Sequence, residues 1–296
     1  MTPVVLFGAT SMAGYTLARL YPGEIVPCAN GYNDAPPAQG WRRVNLEDSR
    51  AVQRLLAAHP TPLVLYCHAV CDVAKCEANP EWAHAINVAA LEGLLRVLPT
   101  ATRVVYLSSD HVFGGDGAYT EESSPTPISV YGRTRVEAEA RVRSRTNALV
   151  IRAGLAIGPS INGRSGYLDW LRYRHRRGLP ITVIADELRS AVWAEDLARR
   201  VMALARSGVC GLRHVAATRA VSRPALAAYL MGSSALPATF QVSTRCRQPV
   251  PHLGHVELRS VYDDAYSQPL QSVMSSAAAG ATEPVSGSWS CSPVAG

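Results

Sequence analysis

Near its start the chain reads Val4-Val5-Leu6-Phe7-Gly8-Ala9-Thr10-Ser11-Met12-Ala13-Gly14. The four apolar residues predict a short buried strand, and apolar residues at helical spacing between Ser11 and Tyr21 predict a helix directly after it. Glycine at position 8 allows the tight turn between them, and Gly14 allows the helix to approach the sheet. This strand, turn and helix predict the first unit of an α/β fold.

The same alternation continues along the first half of the chain. Strands are predicted at residues 24–29, 63–67, 103–107 and 148–151, with helices at 48–58, 80–98 and 131–141. Because each pair of parallel strands needs a crossover, the pattern predicts a parallel sheet covered on both faces, a doubly wound Rossmann-type fold. The second half is less regular and predicts a smaller, partly helical C-terminal substrate lobe.

These patterns suggest three segments. We expect an NAD(P)-binding Rossmann domain over residues 1–153 and a substrate-binding lobe over residues 154–274. Residues 275–296 are rich in Ser, Ala, Gly and Pro, a composition that predicts a low-complexity, disordered tail.

Composition indicates a globular protein. The 296 residues are 48% hydrophobic, enough for one large core. We find neither a leader-like segment nor an apolar stretch of about eighteen residues that could cross a membrane, so a cytoplasmic protein without a membrane partner is expected. The seven cysteines show no repeated C-x-x-C spacing, which predicts reduced thiols and no metal site.

The formal net charge of +6 could suggest a nucleic-acid partner. However, the densest basic run, residues 172–177, lies in a helix-like stretch with apolar neighbours. Such a run is typical of a solvated helix face, and no nucleic-acid partner is expected.

The glycine turn is a candidate dinucleotide site, because free N–H groups at a helix start can hold a pyrophosphate. The middle glycine of the usual G-x-x-G-x-x-G pattern is Ser11 here, whose hydroxyl could also donate a hydrogen bond. A plain strand-to-helix turn is the alternative. The predicted cofactor contacts are Gly8, Thr10, Ser11, Met12, Ala13, Gly14, Asn45, Leu46, Cys67, His68, Ala69, Tyr131 and Arg135.

The choice between NAD and NADP normally depends on an acid or an arginine near the end of the second strand. That position offers Asn30, Gly31 and Tyr32, none of which is acidic, while Arg42 and Arg43 could reach a 2'-phosphate. The expected cofactor is NADP(H) or NAD(H), with a preference for NADP.

Several ordered motifs carry a family likeness. They are Cys67-His68-Ala69-Val70-Cys71-Asp72-Val73-Ala74-Lys75-Cys76-Glu77, Ile86-Asn87-Val88, Ser108-Ser109-Asp110-His111-Val112-Phe113-Gly114-Gly115, Val130-Tyr131-Gly132, Arg189-Ser190-Ala191-Val192-Trp193 and Gly211-Leu212-Arg213-His214-Val215. With them the chain resembles the extended short-chain dehydrogenase/reductase superfamily and, within it, the dTDP-4-dehydrorhamnose reductase family of sugar-nucleotide 4-ketoreductases. The resemblance implies an NAD(P)H-dependent ketoreductase acting on a nucleotide-linked keto-deoxysugar or a related keto metabolite.

The resemblance also implies catalytic roles. Tyr131 would donate a proton to the substrate carbonyl oxygen, and Ser109 would polarise that oxygen. Where the family has lysine this chain has Arg135, whose guanidinium keeps the charge that lowers a tyrosine pKa but is planar and longer. Three outcomes stay open: a slower reductase, a protein that binds the cofactor without turnover, or a site used for non-redox chemistry. Arg133 is expected at the surface.

His111 stands where the family usually has tyrosine. One interpretation is a packed or surface aromatic substitute. The other is a base for acid–base chemistry without hydride transfer, because histidine can titrate near physiological pH.

Predicted substrate contacts combine strand-end placement with the resemblance. Arginine can bind a phosphate through two nitrogens, and an aromatic ring can stack on a base. A helix cap is the alternative for Asp72, a solvated position for Lys75 and core packing for Trp193. The predicted contacts are Asp72, Lys75, Ser109, Asp110, Arg189 and Trp193.

The implied partner is a small molecule, a nucleotide-sugar, and a homodimer is a candidate assembly. Two other functions remain open. One is a non-catalytic cofactor-binding regulatory subunit, resembling the beta subunit of methionine adenosyltransferase. The other is a non-redox dehydratase, epimerase or cyclase that keeps the fold and uses His111.

Overall fold

The computed structural model describes residues 3–30, 40–217 and 219–274. The predicted tail over 275–296 lies outside the described residues, as do Gly31 and Tyr32 of the cofactor-selecting position.

Strands and helices alternate along the described chain. The strands are β1 (Val4–Phe7), β2 (Ile25–Ala29), β3 (Arg42–Arg43), β4 (Leu63–Tyr66), β5 (Arg103–Ser109), β6 (Gly117–Tyr119), β7 (Ala148–Ala153), β8 (Leu155–Ile157), β9 (Thr182–Ile184), β10 (Leu188–Arg189), β11 (Ala191–Trp193), β12 (Gly211–Val215), β13 (Val221–Ser222), β14 (Gln241–Ser243) and β15 (His255–Leu258). The α-helices are α1 (Met12–Leu20), α2 (Ser49–Ala58), α3 (Val73–Ala78), α4 (Pro80–His84), α5 (Ala90–Val97), α6 (Val130–Arg143), α7 (Tyr167–Arg176), α8 (Ala194–Arg206) and α9 (Arg223–Ser233). A π-helical segment (Ala85–Ala89) joins α4 to α5, and short 3-10 helices span Asp110–Val112 and Arg245–Arg247.

A seven-stranded sheet in the order β12-β7-β5-β4-β1-β2-β3 forms the centre of the molecule. Every pairing within it is parallel. The strand order runs outward in both directions from the β1/β4 pair, which opens a crevice at the carboxyl ends of these strands. The predicted doubly wound α/β fold is confirmed.

Two apolar layers cover the sheet because alternate side chains of each strand point to opposite faces. On one face Leu6 and Leu65 pack with Leu17 of α1 and Leu197 of α8. On the other face strand residues pack with α2, α5 and α6, for example Phe7 against Leu91. The strands read as continuous apolar runs because both faces are covered.

The second half of the chain returns to this sheet. Helix α8 packs on α1, and β12 pairs with β7. A boundary after residue 153 therefore does not divide the seven-stranded sheet from the second half of the chain, because β12 and α8 pack within or against that sheet. The smaller sheet, in the order β13-β10-β15-β6, likewise takes β6 from the first half, and α7 and α9 cover a third apolar cluster beside it.

Candidate active site

A cleft lies at the carboxyl ends of the parallel strands, where doubly wound sheets bind ligands. Its volume is about 270 Å³. Its walls come from the glycine turn, the loops after β4 and β5, the start of α6 and the chain after β7. The predicted site residues that line it are Ser11, Met12, Ala13, Cys67, Ala69, Ser109, His111, Tyr131, Arg135 and Arg189. The other lining residues were not predicted as site residues: Cys71, Leu107, Ser108, Ala153, Gly154, Leu155, Ala156 and Leu197.

The glycine turn brings the end of β1 against the end of β4. Gly8 has a φ of 81°, and a Cβ there would lie 2.3 Å from the backbone nitrogen of His68, so only glycine fits. Ser11 caps α1, because its Oγ accepts a hydrogen bond of 3.1 Å from the Gly14 N–H. The N–H groups of Met12 and Ala13, at the first helical positions, keep no intrahelical partner. A phosphate could bind there.

The other predicted cofactor contacts are not among the described residues that line the cleft. Asn45 makes a turn, with its Oδ1 accepting from the Glu47 N–H at 3.0 Å, and Leu46 is buried in the core. Burial, followed by the charge of Arg135, lowers the pKa of His68 to about 4. The contacts that do not line the cleft are Gly8, Thr10, Gly14, Asn45, Leu46 and His68.

Ser109 ends β5, and its neighbours orient its hydroxyl. The Oγ atom donates to Oδ1 of Asp110 at 3.0 Å and accepts from the His111 N–H at 3.3 Å. A hydrogen bond between Ser109 and Tyr131 helps to lower the pKa of the phenol. The structure thus brings together the serine and the tyrosine of the predicted pattern.

Arg135 lies one helical turn after Tyr131 on α6. Its guanidinium carbon is 5.4 Å from the ring centroid of Tyr131 and 5.3 Å from that of Tyr106, within the range of cation–π attraction. The side chain is only 2% exposed, and its Nε and Nη2 atoms have no hydrogen-bond partner. Because buried charged donors without partners cost free energy, this edge of the cleft fits a ligand that presents hydroxyl or anionic oxygens.

Two opposing effects set the acidity of Tyr131. Burial raises its pKa to about 12, while the charge of Arg135 and the hydrogen bond with Ser109 lower it. The phenol is therefore protonated at neutral pH. In this state Tyr131 can donate a proton but cannot accept one.

His111 packs edge-on against Tyr131, with ring centroids 5.1 Å apart. Burial, followed by the nearby charge of Arg189, lowers its pKa to about 4. A ring with this pKa is neutral near physiological pH and only weakly basic, which disfavours the interpretation of His111 as a base. Its packing matches the aromatic-substitute interpretation.

Arg189 crosses from β10 to the end of β5. Its Nε and Nη2 atoms each donate to Asp110 at 2.5 Å, and its Nη1 atom lies 3.3 Å from Glu187. Asp110 is fully buried and Arg189 is 6% exposed. The expectation that Arg189 binds a substrate phosphate through two nitrogens does not match this geometry, because the buried Asp110 carboxylate takes both.

A buried ion pair anchors α6, the helix that carries Tyr131 and Arg135. Glu139 accepts hydrogen bonds from Arg152 Nη2 at 2.7 Å and from Ser108 Oγ at 2.6 Å. Glu139 and Arg152 are 3% and 2% exposed. Sequence reasoning missed this pair, because Glu139 and Arg152 lie on different elements and no local spacing links them.

Asn87 ties the loop after β4 to α6. It is fully buried in the π-helical segment. Its Oδ1 accepts from the Val70 N–H at 2.9 Å, and its Nδ2 donates to the Val70 carbonyl at 3.1 Å and to Thr134 Oγ1 at 3.0 Å. The motif that contains Asn87 was recognised only as part of the family likeness.

Besides the buried Asp110, three predicted substrate contacts are not among the described residues that line the cleft. Asp72 caps α3, with its Oδ1 accepting from the Lys75 N–H at 3.1 Å. The Lys75 side chain is 70% exposed, with its Nζ 3.9 Å from Asp72. Trp193 packs against the apolar cluster of α7 and α9. The helix-cap, solvated and core-packing alternatives match these positions.

The described residues also constrain other kinds of site. Among them, no group of three or more His, Cys, Asp or Glu side chains is placed to hold a metal ion. The cysteines at 28, 67, 71, 76 and 210 are free thiols. None of the helices in the described part of the chain is both long and apolar enough to cross a membrane.

The sequence matches one protein-family model and is similar to several named proteins. The model of a family described as RmlD substrate binding domain matches residues 1–288. A Streptomyces antibioticus protein named probable dTDP-4,6-dihydroxy-2-methyloxan-3-one 4-ketoreductase is 33% identical over 216 residues, 71% of this chain and 70% of that protein. The probable low-salt glycan biosynthesis reductase Agl14 of Haloferax volcanii is 29% identical over 73% of this chain and 74% of that protein. Methionine adenosyltransferase 2 subunit beta of Xenopus tropicalis is 30% identical over 52% of this chain and 47% of that protein.

Solved structures share the fold. A hypothetical dTDP-4-dehydrorhamnose reductase from Sulfolobus tokodaii has a TM-score of 0.73 at 23% identity and covers 96% of both chains. The dTDP-4-dehydrorhamnose reductase of Bacillus anthracis in complex with NADP has a TM-score of 0.74 at 19% identity, over 92% of this chain and 94% of that chain.

Proposed function

We propose, from the premise that this chain belongs to the RmlD substrate binding domain family, that it is an NAD(P)H-dependent reductase of a nucleotide-linked keto-deoxysugar or a related keto metabolite. One observation carries the proposal. Ser109, Tyr131 and Arg135 line one cleft together with the start of α1. Two sequence relatives named as reductases support the same reaction class.

The chain's own groups supply the proton for this reaction. A bound nicotinamide would supply the hydride for the carbonyl carbon. Tyr131 holds the proton for the carbonyl oxygen, and its raised pKa keeps that proton in place at neutral pH. The Ser109 hydroxyl, which donates to Asp110 in the free chain, would turn to donate a hydrogen bond to the same oxygen, and Arg135 stabilises the phenolate that remains after transfer.

The residues present fit a dinucleotide at two points. The start of α1 offers the N–H groups of Met12 and Ala13 to a pyrophosphate. The unpartnered nitrogens of Arg135 offer donors to ribose hydroxyls. A preference for NADP rests on Arg42 and Arg43, which line a cavity of about 680 Å³ with Arg54 and His59 beside the end of β2.

The test uses the full chain with NADPH and a dTDP-linked 4-keto-6-deoxy sugar. Binding is followed by the fluorescence of NADPH, and turnover by its absorbance. We expect saturable NADPH binding and substrate-dependent consumption. In the Tyr131→Phe variant we expect consumption to fall at least about a hundredfold while NADPH binding remains. Equal turnover in both proteins would contradict the role of the tyrosine.

A regulatory subunit is the second candidate function. The likeness to methionine adenosyltransferase 2 subunit beta favours it, although the chain spans about half the length of that protein. Arg135, in the lysine position, also fits binding without turnover. NADPH binding with no consumption of any keto sugar nucleotide, together with co-purification of a catalytic partner, would replace the reductase proposal with this one.

A further inference from the structure

Arg135 is a buried cation that is held without a carboxylate. Buried arginines are normally paired with an acid, and Glu139 lies one turn further along α6. However, the two oxygens of Glu139 accept hydrogen bonds from Arg152 and Ser108. Within the described residues, the groups that act most strongly on the charge of Arg135 are phenols and a thiol. Another kind of contact must therefore hold this guanidinium in place.

Tyr106 supplies one of two aromatic faces at the guanidinium. The guanidinium carbon of Arg135 lies 5.3 Å from the ring centroid of Tyr106 and 5.4 Å from that of Tyr131, within the range of cation–π attraction. Tyr106 is fully buried on β5. Burial raises the pKa of its phenol above the usual range, so the side chain stays neutral. Tyr106 therefore attracts the cation through its ring and not through an anionic oxygen.

Regular structure fixes the position of the Tyr106 ring. Tyr106 pairs with Tyr66 of β4, and the two rings stack with their centroids 5.9 Å apart. Tyr106 and Ser108 point to the same face of β5, because alternate residues of a strand do so. They contact α6 one turn apart, Tyr106 at Arg135 and Ser108 at Glu139. The ring cannot turn away from Arg135 without repacking this part of the core.

The kind of partner decides how much of the positive charge acts on Tyr131. Burial raises the pKa of Tyr131, and the charge of Arg135 is the largest effect that lowers it. A carboxylate beside Arg135 would offset the positive charge and weaken this effect. An aromatic face attracts the cation but carries no net charge of its own. A ring partner therefore holds the guanidinium and leaves its charge uncompensated.

We propose that Tyr106 is a positioning residue for the reaction, because its ring holds the guanidinium of Arg135 beside Tyr131 and leaves the charge free to act on the phenol. Tyr106 is not among the described residues that line the cleft. It acts through Arg135 and not by contact with a ligand. Its effect on turnover rests on the proposed reductase function, whereas the contact between ring and cation does not.

The first test uses the ligand-free full chain labelled with ¹⁵N-arginine and observes the side-chain N–H signals of Arg135 by NMR. The Arg135→Met variant identifies these signals. We expect an upfield proton shift from the aromatic ring currents and a nuclear Overhauser effect between the Arg135 side chain and the ring protons of Tyr106. Absence of the Overhauser effect in the unaltered chain would overturn the proposal, and this result does not depend on the folding of any variant.

Two variants separate the ring from the rest of the side chain. Tyr106→Phe keeps the ring and should retain both the Arg135 signals and kcat. Tyr106→Leu removes the ring, and we expect it to move the Arg135 signals and to lower kcat for keto-sugar reduction about tenfold. Phe7→Leu, a ring removed from the same apolar layer, is the control and should leave the Arg135 signals in place. Circular dichroism establishes that the variants are folded.

A purely structural role for Tyr106 would give a different pattern. In the Arg135→Met chain the cation is absent, so Tyr106→Leu should lower kcat no further. Equal losses of kcat with and without Arg135, or unmoved Arg135 signals in folded Tyr106→Leu, would each overturn the proposal. A chain that lacks reductase activity would refute the proposed function alone, because the NMR signals still decide whether Tyr106 holds Arg135.

Discussion

The guanidinium carbon of Arg135 lies 5.4 Å from the ring centroid of Tyr131, and both side chains are buried. A second ring, that of Tyr106, lies at 5.3 Å. A flat cation suits two aromatic faces better than a compact ammonium does. Arg135 is therefore a buried residue of the cleft wall that packs against two aromatic rings.

The charge of Arg135 should matter more than its shape. Because Arg135 lowers the pKa of Tyr131, Arg135→Met should raise that pKa further and reduce kcat for keto-sugar reduction about a hundredfold. Arg135→Lys keeps the charge and should retain kcat within about tenfold. Steady-state kinetics and NMR titration of a ¹³C-labelled tyrosine ring measure the two effects. Arg133→Met, an exposed change on the same helix, is the matched control. Equal kcat values for the methionine and lysine variants would contradict a role for charge.

The two directions of the reaction should depend differently on pH. Reduction needs the protonated phenol, which persists to high pH because the pKa of Tyr131 is about 12. Reduction should therefore show no loss from Tyr131 ionisation between pH 6 and about 10. Oxidation of the product alcohol needs the phenolate, and its kcat should rise about tenfold per pH unit over the same range. Profiles of kcat in both directions test this, and an oxidation rate that is flat with pH would refute it.

His111 should affect stability at acid pH rather than catalysis. Its pKa is about 4 in the folded chain and about 6.5 when unfolded, so folding favours the neutral ring. Its contribution to stability is complete above pH 6.5 and is lost as the pH falls toward 4. We expect His111→Phe to reduce the loss of unfolding free energy between these values and to keep kcat within about threefold. Urea denaturation at several pH values measures the unfolding free energy of the parent chain and the variant. A large loss of reductase activity in this variant would contradict a purely structural role for His111.

The anchor of α6 should behave as a buried ion pair. Glu139→Leu leaves the Arg152 guanidinium unpaired in the core, which should cost about 3–5 kcal/mol in unfolding free energy. The double variant Glu139→Leu with Arg152→Met removes both charges and should recover most of that loss. Chemical denaturation of the two variants measures the difference. If the double variant is no more stable than the single one, the ion pair is not the source of the effect.

The choice of cofactor should depend on the arginines of β3. Arg42→Ala or Arg43→Ala should weaken NADPH binding about tenfold or more, because a charge-assisted contact to the 2'-phosphate is lost. NADH, which lacks this phosphate, should bind the variants and the parent chain alike. Fluorescence titrations with NADPH and with NADH give the dissociation constants of the parent chain and of each variant. Arg50→Ala, exposed in the first turn of α2, is the control, and equal weakening of NADH would argue against phosphate recognition.

The sequence predicted the central sheet well because each strand is a continuous apolar run next to an amphipathic helix. The family likeness drawn from the motifs is also confirmed. The domain boundary was harder to predict, since β12 and α8 rejoin the sheet through contacts between residues far apart in the chain.

Contacts between side chains that are far apart in the sequence were also not predicted. The predicted phosphate contact Arg189 is taken by Asp110, a residue 79 positions away, and no local spacing encodes such a pair. The ordinary pKa of histidine suggested a titrating group at His111, but the tertiary environment lowers that pKa. Ser109 and Tyr131, which the family likeness paired, line one cleft because each lies at the end of a regular element.

The link between Arg189 and Asp110 has a consequence for how ligands are received. It joins the residue next to Ser109 to β10 of the smaller sheet by two hydrogen bonds that are shielded from water. Any hinge that swung the two sheets apart at this point would separate opposite charges inside the protein, at high cost. The wall beside Ser109 is therefore preorganised. Ligand binding needs little free energy to order this part of the cleft.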